Sequence, residues 1–118
     1  MNVGTRACVA YIAADLINGK AGASAFDHSR GRHVLVTKQG PAHVYDHERG
    51  CHVTGSGVGG NYSLYDHGIG NHVQLQLSGR NFTGYDHSSG RHFQGSVSGG
   101  AVQFYDSESG TWYHYTVA

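Results

Sequence analysis

One nine-residue word, spelled five times, limits what this chain can become. From Phe26 onward it reads "FDHSRGRHV", "YDHERGCHV", "YDHGIGNHV", "YDHSSGRHF" and "YDSESGTWY". The leading aromatics are Phe26, Tyr45, Tyr65, Tyr85 and Tyr105, separated by 19 residues once and then by 20 three times. An array at one period is built from one repeated supersecondary unit, so each residue is read first through its place in that unit.

Each copy carries two turn signals. Asp-x-x-x-Gly, as in Asp46 to Gly50, suits a hairpin loop that ends in a left-handed glycine, with the aspartate bonding the loop's free N–H groups. Half a period later come "KQGP", "VGGN", "SGRN" and "SGGA". Between turns lie short alternating segments, of which "HVQLQLS" is the cleanest: Val73, Leu75 and Leu77 on one face, His72, Gln74 and Gln76 on the other. That is the period of a half-buried strand. Nineteen glycines and a single proline fit a turn-rich β-protein.

The spacing predicts a register. Asp46 faces Cys51, and Tyr45 faces His52. On the apolar face the pairs are Ala25–Val34, Val44–Val53, Leu64–Val73, Gly84–Phe93 and Phe104–Tyr113. The next pairs are Ala23–Val36, Ala42–Gly55, Tyr62–Leu75, Phe82–Gly95 and Val102–Tyr115. Twice a phenylalanine faces a glycine, as when an aromatic covers a cross-strand glycine backbone. The resulting fold is all-β: an antiparallel meander of about ten short strands from five hairpins, rolled into a barrel or folded as a sandwich to bury its apolar face. The alternative is a parallel β-solenoid, which would stack the five aspartates about 4.8 Å apart in one repulsive row. The 19-residue first copy marks an irregular edge.

With 118 residues the chain is one domain. Residues 1–20 stand outside the repeats of 21–118. "TRACVAYIAADLINGK" reads as a short helix capped by Thr5 and stopped at Asn18-Gly19, or as a strand of a first hairpin. No stretch approaches the ~20 apolar residues of a membrane span. "ACVAYIAADLI" is short and interrupted by Asp15, which argues against a signal peptide and makes the cytoplasm the default compartment. Cys8 and Cys51 lack any CxxC spacing, and Cys51 reads as a tolerated surface residue.

The Tyr-Asp-x-x-x-Gly core resembles the YD repeats of Rhs and teneurin-type proteins. The matching positions are Tyr45, Asp46 and Gly50, then Tyr65, Asp66 and Gly70, then Tyr85, Asp86, Gly90 and Arg91. The aspartate-to-glycine spacing is one residue longer than in that family, and x-His-Val follows the glycine where the family has Arg-Leu. The resemblance covers about residues 26–117. It implies repeated β-hairpins coiling into a shell, with tyrosine and aspartate serving the fold.

Eight basic residues balance eight acidic ones, which gives no charged face for nucleic acid or anionic membrane. Ten histidines are the unusual feature. They make a pH-responsive protein conceivable, since an ordinary histidine titrates near pH ~6.5. His28, His47, His67 and His87 sit at loop tips; His33, His52, His72 and His92 open the following strands. The strand set faces the repeat aromatics, and the fifth copy puts Trp112 opposite Tyr105, a replacement suited to aromatic contact and not to metal ligation. The main reading is therefore a non-enzymatic binding or scaffold module without cofactor, using the Tyr/His/polar face, with Tyr45, Tyr65, Tyr85, His52, His72 and His92 as ligand contacts. Carbohydrate, protein or a second copy of the chain are the partners such a face suits. The alternative uses all eight loop and strand histidines to bind zinc or nickel. The aspartates read as turn caps, with Arg32 and Arg91 as cross-loop partners in two copies. They are alike, whereas paired catalytic carboxylates need unlike environments, and no serine has a nucleophile-elbow context.

Overall fold

The computed structural model describes residues 1–117. A single helix, α1 (Val3–Asn18), is followed by ten strands: β1 (Ser24–Asp27), β2 (Arg32–Gly40), β3 (His43–Asp46), β4 (Cys51–Val58), β5 (Asn61–Asp66), β6 (Asn71–Ser78), β7 (Asn81–Asp86), β8 (Arg91–Ser98), β9 (Ala101–Asp106) and β10 (Thr111–Val117). Each strand pairs antiparallel with its sequence neighbours, and β1 closes on β10 through Ala25↔Val117, Phe26↔Thr116 and Asp27↔Tyr115. The result is a closed barrel, not a sandwich and not a parallel solenoid. Closure leaves no unpaired sheet edge.

The expected hairpin register holds across the loop necks. Ala25↔Val34, Val44↔Val53, Leu64↔Val73, Gly84↔Phe93 and Phe104↔Tyr113 are all partners. Further along, Tyr62↔Leu75, Phe82↔Gly95 and Val102↔Tyr115 also pair. One expected pair departs and another holds in its backbone only. Ala42 falls outside β3 with φ 54, and the β2–β3 register shifts between Lys38 and Gly40, where the short first copy must absorb its missing residue. Ala23 precedes β1 and keeps its pairing with Val36, whose N–H donates to its carbonyl, but its side chain is exposed and not on the apolar face.

Inside the barrel lies α1. From Gly4 through Asp15 every residue is buried, whichever way it points. A helix that is apolar all round belongs in a core, and ten strands enclose a lumen wider than side chains alone fill. Ala7, Ala10, Ala13 and Ala14 keep the helix thin enough to pack against Val44, Leu64, Val73, Phe82 and Phe104 of the wall. The N-cap is Asn2, not Thr5: its side chain accepts from the Gly4 and Thr5 N–H groups, which frees the Thr5 hydroxyl for another partner. Gly19 at φ 77 ends the helix in the left-handed conformation that glycine adopts without cost from a Cβ. No helix among the described residues is long and apolar enough to cross a membrane.

Candidate functional site

The five Asp-x-x-x-Gly loops share one geometry. The glycine N–H donates to the aspartate carbonyl at 2.8 Å in every copy, from Gly31, Gly50, Gly70, Gly90 and Gly110. The aspartate Oδ1 then accepts the N–H two residues on, from Ser29, Glu48, Gly68, Ser88 and Glu108. Alternation continues past the strand, so each aspartate points inward and is buried. The five carboxylates gather at the barrel end that holds the N-terminus of α1, whose dipole favours negative charge.

Their second oxygens have different partners. Arg49 Nε donates to Asp46 Oδ2 at 2.6 Å, and its Nη2 to Asp66 Oδ2 at 2.9 Å. Thr5 donates its hydroxyl to that same Asp66 oxygen at 2.6 Å. Arg30 holds Asp27 at 2.8 Å. Arg6, on α1, reaches Asp106 at 3.5 Å, donates to the Tyr115 hydroxyl at 2.8 Å and lies 3.5 Å over the Tyr113 ring. Asp86 Oδ2 is buried with no hydrogen-bond partner among the described residues. Arg32 and Arg91 do stand opposite Asp27 and Asp86 across their loop necks, but both are exposed, and Arg32 pairs with Glu48 instead. A residue three positions after the aspartate can turn under the loop, which the residue after the glycine cannot.

Burial works to raise the Asp66 carboxyl, but hydrogen bonds from Arg49 and Thr5 outweigh it and hold it below the usual range. Asp27 is likewise lowered, burial being overcome by Arg30 and Ser29. Burial, with the Asp46 charge, pushes the Cys8 thiol well up, so it stays a neutral donor to Asp46. Burial also raises the Tyr115 hydroxyl to about 12. Cys51, expected on the surface, is half-buried beside Gly68, and both cysteines are free.

Outside, the repeat aromatic of each of the first four copies stands between its two histidines. Tyr45 meets His47 at 4.9 Å and His52 at 4.8 Å between ring centroids, both edge-on. Tyr65 repeats this with His67 and His72, and Tyr85 with His87 and His92. Phe26 does so with His28 and His33. The tyrosine hydroxyl rises to the loop glycine, about where a Cβ on Gly50, Gly70 or Gly90 would stand 3.7 Å away. Loop histidines also bond a hydroxyl on the neighbouring strand: His28 to Thr116, His47 to Thr37 and His67 to Thr54. His87 has Gln74 in the corresponding place, since Gln74 faces Tyr85 as Thr54 faces Tyr65. Among the described residues no three of His, Cys, Asp and Glu gather closely enough to hold a metal ion.

Across β4–β10 the outer wall lacks charge, in line with the polar face read from the sequence. Outward positions there carry Tyr, Trp, His, Gln, Asn, Ser and Thr, with Val58 and Ala101 the exposed apolar exceptions. The strand aspartates point inward, and Arg91 opens β8 at the loop end. The signal was available: the "HVQLQLS" and "NFTGY" type segments hold no Lys, Arg, Asp or Glu, whereas loops and α1 do. On this wall a shallow groove of about 340 Å³ is lined by Asn61, Gln74, Gln76, Thr83, Tyr85 and His92. No protein-family model, curated protein or solved structure matches the chain.

Proposed function

We propose that this protein is a non-enzymatic binding module whose ligand lies against the outer wall. The observation that carries the reading is the uncharged Tyr/His/amide surface of β4–β10, on a barrel whose interior its own helix fills. Tyr65, Tyr85, His72 and His92 contribute ring edges and faces, and Tyr45 and His52 extend the same pattern to β3 and β4. Rigid aromatic contacts beside amides bind without a large loss of side-chain freedom. The likeness to YD-repeat shells is in keeping with such a scaffold, and the cytoplasm is the compartment we propose for it.

The test screens glycan and peptide arrays with the wild type and with Ser63→Lys/Thr83→Lys/Gln94→Lys, whose sites are all exposed. The expected ligand is lost in the triple variant. Undiminished binding by that variant would place the ligand elsewhere and overturn the reading. A stoichiometric zinc complex of micromolar affinity would favour the histidine-row alternative instead.

A further inference from the structure

The barrel's stagger lines outward side chains into rows that cross the strands, and one row is longer than the rest. Asn61 faces Gln76, Gln76 faces Thr83, Thr83 faces Gln94, Gln94 faces Tyr105, and Tyr105 faces Trp112. A second groove, of about 290 Å³, opens along this row between Asn81, Thr83, Gln94, Ser96 and Trp112. It shares Thr83 with the groove that Tyr85 and His92 line.

Trp112 is the position where the repeat departs from its own rule. In the other four copies a histidine meets the repeat aromatic, so the fold itself is satisfied by histidine there. The tryptophan tilts against Tyr105 with centroids 5.2 Å apart and stays 49% exposed. About half of its surface is therefore left free of packing.

Resting on the binding-module reading, we propose that this double groove holds a neutral oligosaccharide, with Trp112 and Tyr85 as its two stacking platforms. A pyranose ring offers an apolar C–H face and a rim of hydroxyls that both donate and accept. An indole or phenol ring takes the face, and Asn61, Gln76, Gln94 and Thr83 offer the donor–acceptor pairs that the rim requires. Competing ligand classes match less well. Polyanions need lysine or arginine, which the row lacks. An extended peptide adds to a free sheet edge, and a closed barrel has none. An amphipathic helix needs one continuous apolar stripe, whereas here Asn61, Gln76, Thr83 and Gln94 stand between the aromatic rings. The platforms stand three strand spacings apart, about 14 Å across the sheet, and Tyr85 lies two residues off the row that joins Thr83 to Trp112, so the ligand that touches both is an oligomer and not a single sugar.

Trp112 is also the only tryptophan, so the full chain reports on the site by its own fluorescence. The experiment titrates it with cello-, chito-, malto-, xylo- and laminari-hexaose, with a polygalacturonate oligomer as the anionic control. One or more neutral hexaoses should shift the emission and release heat by calorimetry, and the anionic control should do neither. By calorimetry, Trp112→His should bind about tenfold more weakly, the loss of one aromatic anchor, as should Tyr85→Ala. Trp112→His restores the residue of four other copies, so folding is preserved. If no neutral hexaose binds, the saccharide assignment falls; a peptide that binds the wild type but not the triple-lysine variant would then leave the wall reading standing. A hexaose that binds Trp112→His and the triple-lysine variant as well as wild type would sink both.

Discussion

Each repeat aspartate spends one carboxylate oxygen on its own loop, and the other oxygen decides what the residue is worth. For Asp46 and Asp66 that second oxygen meets Arg49, whose side chain is only 18% exposed. Gly4 makes room for it, since a Cβ there would stand 2.4 Å from Arg49 Cδ. Arg49→Ala therefore leaves two buried carboxylates without a cation, their second oxygens held only by Thr5 and Cys8, and should cost about 3–5 kcal/mol, read as a fall in the urea midpoint. Arg32→Ala, at an exposed pair, should stay within about 1 kcal/mol. The same chemistry sets an acid limit. The folded carboxyls of Asp66 and Asp27 lie below their unfolded values, so the unfolded chain binds more protons as the solution is acidified. Their stabilisation is complete above the ordinary carboxylate value of ~3.9 and fades as pH falls through the lowered folded one. Urea midpoints measured from pH 5 downward should drop for the wild type, and drop less steeply for Asp66→Asn, which starts lower. The capping oxygen was legible in the sequence, from Asp-x-x-x-Gly alone. The inward oxygen was not, because Thr5 and Arg6 come from the segment outside the repeat, and Arg30 and Arg49 occupy a loop position that is arginine in only two of the five copies.

At the scale of the strand, register was the most legible property, because side-chain alternation and loop length fix it together. The glycine–phenylalanine pairs show how closely. A Cβ on Gly84 would stand 2.2 Å from both Phe93 Cζ and the Gln74 carbonyl oxygen, and one on Gly95 would meet Phe82 Cζ at 2.4 Å. These glycines sit at negative φ and are chosen for the space their missing Cβ yields. Phe93 then stacks on Phe104 at 4.9 Å and 15°. Gly84→Ala should cost about 1–3 kcal/mol, the penalty of an overpacked core, seen as a lowered thermal midpoint. Adding Phe93→Leu should recover part of it, since the Gln74 backbone contact remains. A Gly84→Ala protein as stable as wild type would mean the phenylalanines do not lie on those glycines. Where the repeat is one residue short, pattern reading failed at the turn: Ala42 was placed on a strand, and the chain instead resolves the mismatch with a bulge and a left-handed residue.

For the molecule as a whole, the decisive element is the one the repeats say nothing about. The run from Ala7 to Ala14 has no polar face, which leaves helix and strand equally open when only periodicity is consulted. Its small residues and all-round apolarity acquire meaning once a closed ten-strand wall exists to receive them. A helix of 16 residues is about 24 Å long, against barrel dimensions of 29 × 28 × 27 Å, so α1 spans nearly the full lumen. Wall and helix thus share one core, and neither has another surface to bury against. The strands of residues 21–118 without α1 should lack a cooperative thermal transition and bind a hydrophobic dye, as chains do that keep sheet but lose packing. A peptide of residues 1–20 added in trans should restore the transition, because Tyr11 to Gly22 and Arg6 to Tyr115 are contacts it can remake. The same peptide carrying Ala10→Lys should not, since it drives an unpaired charge into a site that is fully buried. A helix-free barrel melting cooperatively at the wild-type midpoint would show instead that the wall packs on itself.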